Sequence, residues 1–409
     1  MSASPSDIVA RLEQLALLGR YAGGIDRGLA TPAERAAREQ FAAWARADGF
    51  ALTQDAVGNL FARRNGTGTG APILVGSHLD TVRTGGAYDG AYGVAGALCA
   101  LAMLNRETSH GIEAVAWAGE EGSRFPLGCL GSSVFAGLTP QNVALELCDD
   151  QGISLRDALA SKEHGLLPHV PDRTGRAVAA YLELHVEQGP VLEAAGMRLG
   201  VVTAIAAQRR YRVAVEGTSG HAGTVPMDRR SDALCAAAEL IAAIERAARE
   251  TGEAVATVGR LTVEPNGSNV IPGRVTFSID ARSPEDSRLD AIERALQAAI
   301  QDGRRQRGVR VTLDELEARP AAPMDPALRA ALYRACATLQ EPALDVASGA
   351  GHDAMCLSRV APTAMLFVPS IGGLSHVGQE RTAERDLQAG VAALAAAIVE
   401  VDRVLGANG

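Results

Sequence analysis

The chain has 409 residues, 47% hydrophobic and 21% charged, with a formal net charge of −9. That length exceeds an ordinary single core, so two domains are expected in a soluble globular protein. The acidic balance excludes the basic face that nucleic-acid binding needs, so no nucleic-acid partner is expected. One basic cluster, Arg304, Arg305, Arg307 and Arg310, reads as a solvated helix end. No run reaches the roughly 20 apolar residues that span a bilayer, which argues against a membrane partner. Met1-Ser2-Ala3-Ser4-Pro5 carries neither a basic start nor an apolar export core, and no two cysteines show Cys-x-x-Cys spacing. Both points make a cytoplasmic location the expectation.

Thr31-Pro32-Ala33-Glu34 has the form of a capping box with proline at the first helical position, opening a helix toward Ala47. Residues 72–75 are a short apolar run ending at Gly76-Ser77-His78, as a buried strand delivering a residue to its carboxyl edge would look. A buried helix is expected over 94–104. A second central strand over 112–117 runs into Gly119-Glu120-Glu121, and a third over 178–184 ends at His185. This alternation predicts an α/β fold, a mainly parallel sheet with helices on both faces. In such sheets ligands gather at the carboxyl ends of the strands.

From Gln208 the pattern changes. Residues 209–215 alternate polar and apolar like a half-exposed strand. An alanine-rich helix over 228–250, strands near 254–263 and 274–281, a helix over 284–302 and a strand over 309–316 follow. That order, β-α-β-β-α-β, is ferredoxin-like. Pro320, Pro323 and Pro326 punctuate its exit. A helix over 327–339, a strand over 363–368 and a closing helix over 383–405 then resume the first pattern. The expected organisation is a catalytic domain over 1–207 and 323–409, interrupted by a compact α+β insert over 208–322.

Imidazole and carboxylate side chains recur in short motifs along this frame. They are His78 in Gly76-Ser77-His78-Leu79-Asp80, Asp89 in Tyr88-Asp89-Gly90, the pair Glu120-Glu121, His185 in Leu184-His185-Val186-Glu187, and His376 in Ser375-His376-Val377-Gly378. Such groups are the ligands of a borderline divalent metal such as zinc where no thiolate is offered. A metal hydrolase needs a further acid to handle protons. Each motif alone has a plainer reading: a hydrogen-bonded histidine beside the turn-capping Asp80, a turn aspartate among Gly85, Gly86, Gly90 and Gly93, a charged loop. Adjacent carboxylates after an apolar strand nevertheless repel unless a cation or proton separates them. Position unites the candidates, because each falls where a central strand is expected to end.

Gly76-Ser77-His78-Leu79-Asp80-Thr81, Tyr88-Asp89-Gly90, Glu120-Glu121-Gly122-Ser123-Arg124-Phe125, His185-Val186-Glu187-Gln188-Gly189-Pro190 and Ser219-Gly220-His221-Ala222-Gly223 resemble the M20 metallopeptidase family. The resemblance is to its amidase, hydantoinase/carbamoylase branch, which holds N-carbamoyl-L-amino-acid hydrolases, allantoate amidohydrolases and bacterial β-ureidopropionases. It runs over nearly the whole chain in the expected order. It implies two divalent metal ions bridged by Asp89, zinc foremost, with manganese, cobalt and nickel as alternatives. His78 and His185 then complete one site, Glu121 and His376 the other. Glu120 becomes the general base, although the residues alone treat Glu120 and Glu121 alike. Asp80 orients His78 from behind. Histidine at 185, where peptidase relatives often carry an acid, favours the carbamoylase branch.

The resemblance also makes the insert a lid and dimerisation domain of a homodimer, with His221 and Asn269 acting across subunits. His221 would meet the substrate carbonyl as it becomes an oxyanion. Gln208, Asn269, Arg282 and Gly351 match substrate-binding positions. Arg282 is the natural partner of a substrate carboxylate, since its planar fork makes two parallel charge-assisted bonds. The implied reaction is hydrolysis of the ureido C–N bond of an N-carbamoyl-L-amino acid, releasing ammonia and carbon dioxide. Allantoate and 3-ureidopropionate are alternative small-molecule substrates, and dipeptide or N-acyl cleavage is a more distant one. Intact Glu120 beside a full ligand set argues against a non-catalytic metal-binding homologue.

Overall fold

The apolar runs around His78, Trp117 and His185 form the centre of one sheet. In the computed structural model, which describes residues 4–170 and 177–407, Ile73–His78, Ile112–Trp117, Ala180–Val186 and Thr363–Val368 are strands buried at every residue. They pair in parallel, in the order Thr363–Val368, Ala180–Val186, Ile73–His78, Ile112–Trp117. Strands covered on both faces need no polar alternation, which is why each reads as a continuous apolar run. Antiparallel strands flank this centre, Leu60–Arg64 and Ala51–Gln54 on one side and Leu199–Ile205 on the other, and Ala343–Ser348 pairs with Leu199–Ile205. Helix Ala91–Met103 packs on the sheet and is buried continuously from Ala91 to Leu101. Residues of Asp7–Leu17 and Glu384–Gly406 share its core. This first unit comprises Met1–Thr203, Met324–Val346 and Ala350–Gly409.

The helix Pro32–Ala47 opens as its cap residues predict. Thr31 Oγ1 accepts the Glu34 N–H at 3.3 Å. Glu34 reaches back one residue further than in a simple capping box, accepting the Ala30 N–H at 3.0 Å, and pairs with Arg38 at 2.8 Å. Both members of that pair are buried, so each supplies the counter-charge the other needs.

The second unit, Ala204–Pro323 with Ala347–Gly349, is an antiparallel sheet. Ala207–Glu216 lies between Arg274–Ser283 and Arg310–Arg319, and Val255–Thr257 and Leu261–Glu264 pair with Arg274–Ser283. Helices Ala233–Thr251 and Asp286–Arg307 share a core with Tyr211, Val213, Val215, Phe277 and Ile279. The residues between these on each strand stay partly exposed, the alternation of a sheet covered on one face.

The sheet of the first unit, expected to be mainly parallel, is mixed: its four central strands pair in parallel and antiparallel pairs flank them, because short connections such as 55–59 join antiparallel neighbours. Two further details depart from the sequence reading. The helix expected from 228 starts at Ala233, because the Asp232 carboxylate accepts the N–H groups of Leu234 and Cys235 at 2.9 and 3.0 Å. An aspartate that captures those amides ends the preceding chain as a cap instead of continuing a helix. The strand expected near 254–263 is two short ones, interrupted around Gly259. Arg305, Arg307 and Arg310 pair with Asp302, Glu239 and Glu216, which neutralises three of the four arginines of the basic cluster. No helix among the described residues is long and apolar enough to cross a membrane.

Replacing Asp232 with alanine removes the cap from two amides and is expected to destabilise the second unit by about 1 kcal/mol. Urea unfolding followed on that unit should show the lower midpoint; an unchanged midpoint contradicts the assigned cap.

Candidate metal centre

The carboxyl ends of the parallel strands place His78, His185 and the Glu120-Glu121 pair, whereas Asp89 and His376, expected at strand ends too, sit on connections further along the chain. His78 is the last residue of its strand, His185 the last but one of its own, and Glu120 and Glu121 follow Ile112–Trp117. Asp89 comes from the turn ahead of Ala91–Met103, and His376 from the loop beyond Thr363–Val368. Both buried imidazoles are anchored through Nδ1 on backbone carbonyls, His78 on Asp80 at 3.0 Å and His185 on Val186 at 2.9 Å. An anchored Nδ1–H turns the Nε2 lone pair toward the centre, where that of His185 accepts the Gly90 N–H at 3.1 Å. Gly90, at φ +62°, lies so close that a Cβ would sit 2.3 Å from the His78 ring. Only glycine fits there.

Asp80 has two tasks. Its carbonyl orients His78, whereas its carboxylate, 3.7 Å from His78 Nδ1, accepts the N–H groups of Glu120 at 3.0 Å and Glu121 at 3.1 Å. The sequence pointed to the first task only.

Asp89 stands at the centre and uses its two oxygens differently. Oδ1 lies 3.5 Å from His78 Nε2 and 3.3 Å from His185 Nε2, while Oδ2 lies 3.3 Å from His376 Nε2. His376 Nε2 is in turn 3.6 Å from Glu121 Oε2. The result is two ligand groups sharing one carboxylate, His78/Asp89/His185 and Asp89/Glu121/His376, each with ligand atoms within 4.8 Å of one another. Two ligands bound tetrahedrally at about 2.1 Å stand about 3.4 Å apart, so these gaps fit ions between them. Glu120 lies beside both groups, its Oε2 3.8 Å from His78 Nε2 and its Oε1 accepting the Cys129 thiol at 3.3 Å.

A further cluster, Glu183, His185 and His352, also comes within ligand distance. Glu183 is already engaged by the Ser77 hydroxyl at 2.7 Å and the Ala354 N–H at 2.9 Å. The His352 ring stands edge-on to that of His185 at 4.5 Å. His352 thus packs against the His185 ring.

The electrostatics ask for cations. Burial pushes the carboxyls of Glu120 and Glu121 up, and neighbouring Asp89 adds to both shifts. Burial acts the same way on Asp89, yet hydrogen bonds from His185, His376 and His78 hold it well below the usual carboxylate range. Burial opposes charge on His78 and His185, but the surrounding carboxylates outweigh it and raise both. His376, half exposed, is raised to about 9, mainly by its bond to Asp89. Four carboxylates packed against three imidazoles form a site that divalent ions satisfy better than protons do.

Gln188, Ser375 and Glu380 also belong to the site and were not singled out as site residues from the sequence. Gln188 Nε2 donates to Asp89 Oδ2 at 2.8 Å, and Ser375 Oγ lies 3.2 Å from the same oxygen. Both sit inside motifs that name their neighbours, His185 and His376. Glu380 lies in no such motif.

The second unit holds the remaining candidates. His221 and Val270 face each other on paired two-residue strands, and the Ala222 N–H donates to the Asn269 carbonyl at 2.9 Å, so His221 and Asn269 are neighbours. Gln208 and Arg282 are cross-strand partners. Between them the Asp280 carboxylate accepts Arg282 Nε at 2.9 Å, Arg282 Nη2 at 3.1 Å and Gln208 Nε2 at 3.0 Å. Arg282 Nη1 donates to the Gly349 carbonyl at 2.8 Å. The Nε/Nη2 fork is thus held by Asp280, and Nη1 is held by Gly349. Gly351 belongs to the first unit, next to His352.

The fold and this paired ligand set are those of a metal-dependent hydrolase family. The chain belongs to peptidase family M20/M25/M40, whose model matches residues 74–400. It is 39% identical over 404 residues to an N-carbamoyl-L-amino-acid amidohydrolase of Paenarthrobacter aurescens, covering 97% of this chain and 98% of that one. It is 41% identical over 401 residues to an allantoate amidohydrolase of Bacillus subtilis, covering 95% and 96%. An amidase of the hydantoinase/carbamoylase family from Burkholderia multivorans superposes with a TM-score of 0.92 at 37% identity, over 98% of both chains.

The shifts of His376, Glu120 and Glu121 share a sign, since each group binds its proton more tightly folded than unfolded. The share from His376 is fully present below its unfolded value of 6.5 and is lost as pH rises through about 9. Metal-depleted protein is therefore expected to lose thermal stability across that window, and His376→Ala should flatten the slope. Added Zn2+ should stabilise more at the upper end, where protons compete less. A melting temperature constant across the window without metal contradicts this.

Proposed function

We propose that the chain is a metal-dependent amidohydrolase that cleaves the ureido C–N bond of N-carbamoyl-L-amino acids. The observation that carries this is the split use of Asp89, one oxygen toward His78 and His185 and the other toward His376 beside Glu121. It occurs in a chain similar over nearly its full length to an N-carbamoyl-L-amino-acid amidohydrolase. We assign the two ligand groups to two divalent ions, zinc foremost; manganese, cobalt and nickel accept the same donors. When bound, such ions polarise a carbonyl and bring the pKa of water toward about 7.

The chain's own residues manage position and protons. Glu120 takes a proton from the attacking water at its carboxylate and later delivers it to the departing nitrogen, which leaves as ammonia. Burial raises its proton affinity, which suits an acid that must hold and then release one. The carbamate left on the amino acid loses carbon dioxide to give the free amine. Arg282, held by Asp280 and the Gly349 carbonyl, receives the substrate carboxylate through the N–H groups those bonds leave over, with Gln208 and the Gly351 backbone beside the substrate. In a homodimer, His221 and Asn269 serve the partner's site, His221 donating to the carbonyl oxygen as charge develops. Loss of one such donor costs roughly 10²–10³ in rate.

Hydrolysis of allantoate is the second reading, favoured by 41% identity to the Bacillus subtilis allantoate amidohydrolase. The same bond type is broken. An ammonia-release panel of N-carbamoyl amino acids, allantoate, 3-ureidopropionate and dipeptides decides among substrates, since peptide cleavage yields no ammonia.

Glu120→Gln is expected to keep its metal content and lose roughly 10²–10⁴ in kcat; full activity in a metal-replete variant would remove Glu120 from the base role. Arg282→Ala should raise KM for carboxylate substrates with metal content unchanged. Asp280→Asn should do the same more mildly, by releasing the arginine. Unchanged KM in both variants places the substrate carboxylate elsewhere.

A further inference from the structure

We infer that Glu380 is the positioning residue of the bridging carboxylate, and that it builds the half of the centre formed by Asp89, Glu121 and His376. This rests on the two-ion reading above. Glu380 is 3% exposed. Its Oε1 accepts the backbone N–H groups of Tyr88 at 2.9 Å and Asp89 at 3.0 Å, and its Oε2 accepts the Ser375 hydroxyl at 2.8 Å. Ser375 Oγ receives Gln188 Nε2 at 3.1 Å, and Gln188 and Ser375 both touch Asp89 Oδ2. A Cβ on Gly86 would lie 2.4 Å from the Glu380 side chain, so the Asp89 turn rests directly on it.

One buried anion thereby joins two ligand-bearing segments that lie far apart in sequence, the turn carrying Asp89 and the loop carrying His376. Placing it beside Asp89 is electrostatically unfavourable, and the two amides and the hydroxyl offset that cost. Apolar packing could fill the same space, but it could not aim the Asp89 backbone and Ser375 together. The two halves of the centre depend on Glu380 unequally. His78 and His185 are held by the carbonyls of Asp80 and Val186. Asp89 Oδ2, the oxygen facing His376, is the one touched by Ser375 and Gln188. His376 sits at φ +59° with about half its side chain exposed, directly after Ser375.

The test is Zn2+ binding to metal-depleted full-length protein, by calorimetric titration and by ion content after gel filtration. Wild type should take up two ions per chain. Glu380→Ala should keep one ion at wild-type affinity and bind the other at least about tenfold more weakly, the range typical of residues that orient ligands. Glu380→Gln keeps an acceptor for the two amides and should recover part of the loss. Ser375→Ala, a smaller change that decides the matter if Glu380→Ala does not fold, should weaken the same ion severalfold. Two ions bound at wild-type affinity in the variants overturns the inference, as does equal weakening of both ions. Wild type that takes up a single ion overturns the two-ion reading itself, and the inference with it.

Discussion

Like charges cannot be concentrated in a buried site without a counter-charge, and the first unit is arranged around that constraint. Asp80, Asp89, Glu120 and Glu121 converge beyond the ends of strands that are buried at every residue. In so poorly hydrated a place burial and the neighbouring Asp89 raise the proton affinity of Glu120 and Glu121. Three imidazoles relieve part of the strain, all through Asp89. The remaining deficit has a direction as well as a size, because Asp89 offers one oxygen to each side. Metal binding answers the deficit, since the ligand groups His78/Asp89/His185 and Asp89/Glu121/His376 lie one on each side.

Rigidity at this centre comes from the backbone. The two buried histidines rest on carbonyls of their own strand ends, and Gly90 lets the Asp89 turn close onto His78 without a Cβ in between. Asp80 couples the strand of His78 to the loop of Glu120 and Glu121 through one residue's carbonyl and carboxylate. Ligands fixed in this way need little rearrangement when an ion arrives, which favours affinity and a constant gap between neighbours. The same economy recurs in the second unit, where Asp280 holds Arg282 and Gln208 across a strand pair. An arginine already braced loses less freedom on meeting an anion.

Much of the frame was legible in the amino-acid order. Strands covered on both faces are mostly apolar, so 72–75, 112–117, 178–184 and 363–368 stood out. The half-covered strand Ala207–Glu216 stood out by its alternation. The hairpin Ala51–Gln54 with Leu60–Arg64 and the helix Asp7–Leu17 went unread. The hairpin lies at the sheet edge, where polar residues such as Arg63 and Arg64 blur the pattern. The start of Ala233–Thr251 was misplaced because a capping aspartate and a helical one look alike until the amides they bind are known.

For the site, the sequence by itself determined the chemistry available: imidazoles and carboxylates in motifs at strand ends, with no thiolate among them, and a family whose members carry such motifs. The tertiary structure alone decided which atoms meet. It set which oxygen of Asp89 faces which histidine, that Asp80 serves two partners, that Asp280 occupies one fork of Arg282, and that Glu380 reaches back to Asp89. Motif spacing records what a residue can bind, because that is a property of the side chain. Who its partner is depends on distances closed by folding between segments hundreds of residues apart, and those distances leave no local trace in the chain.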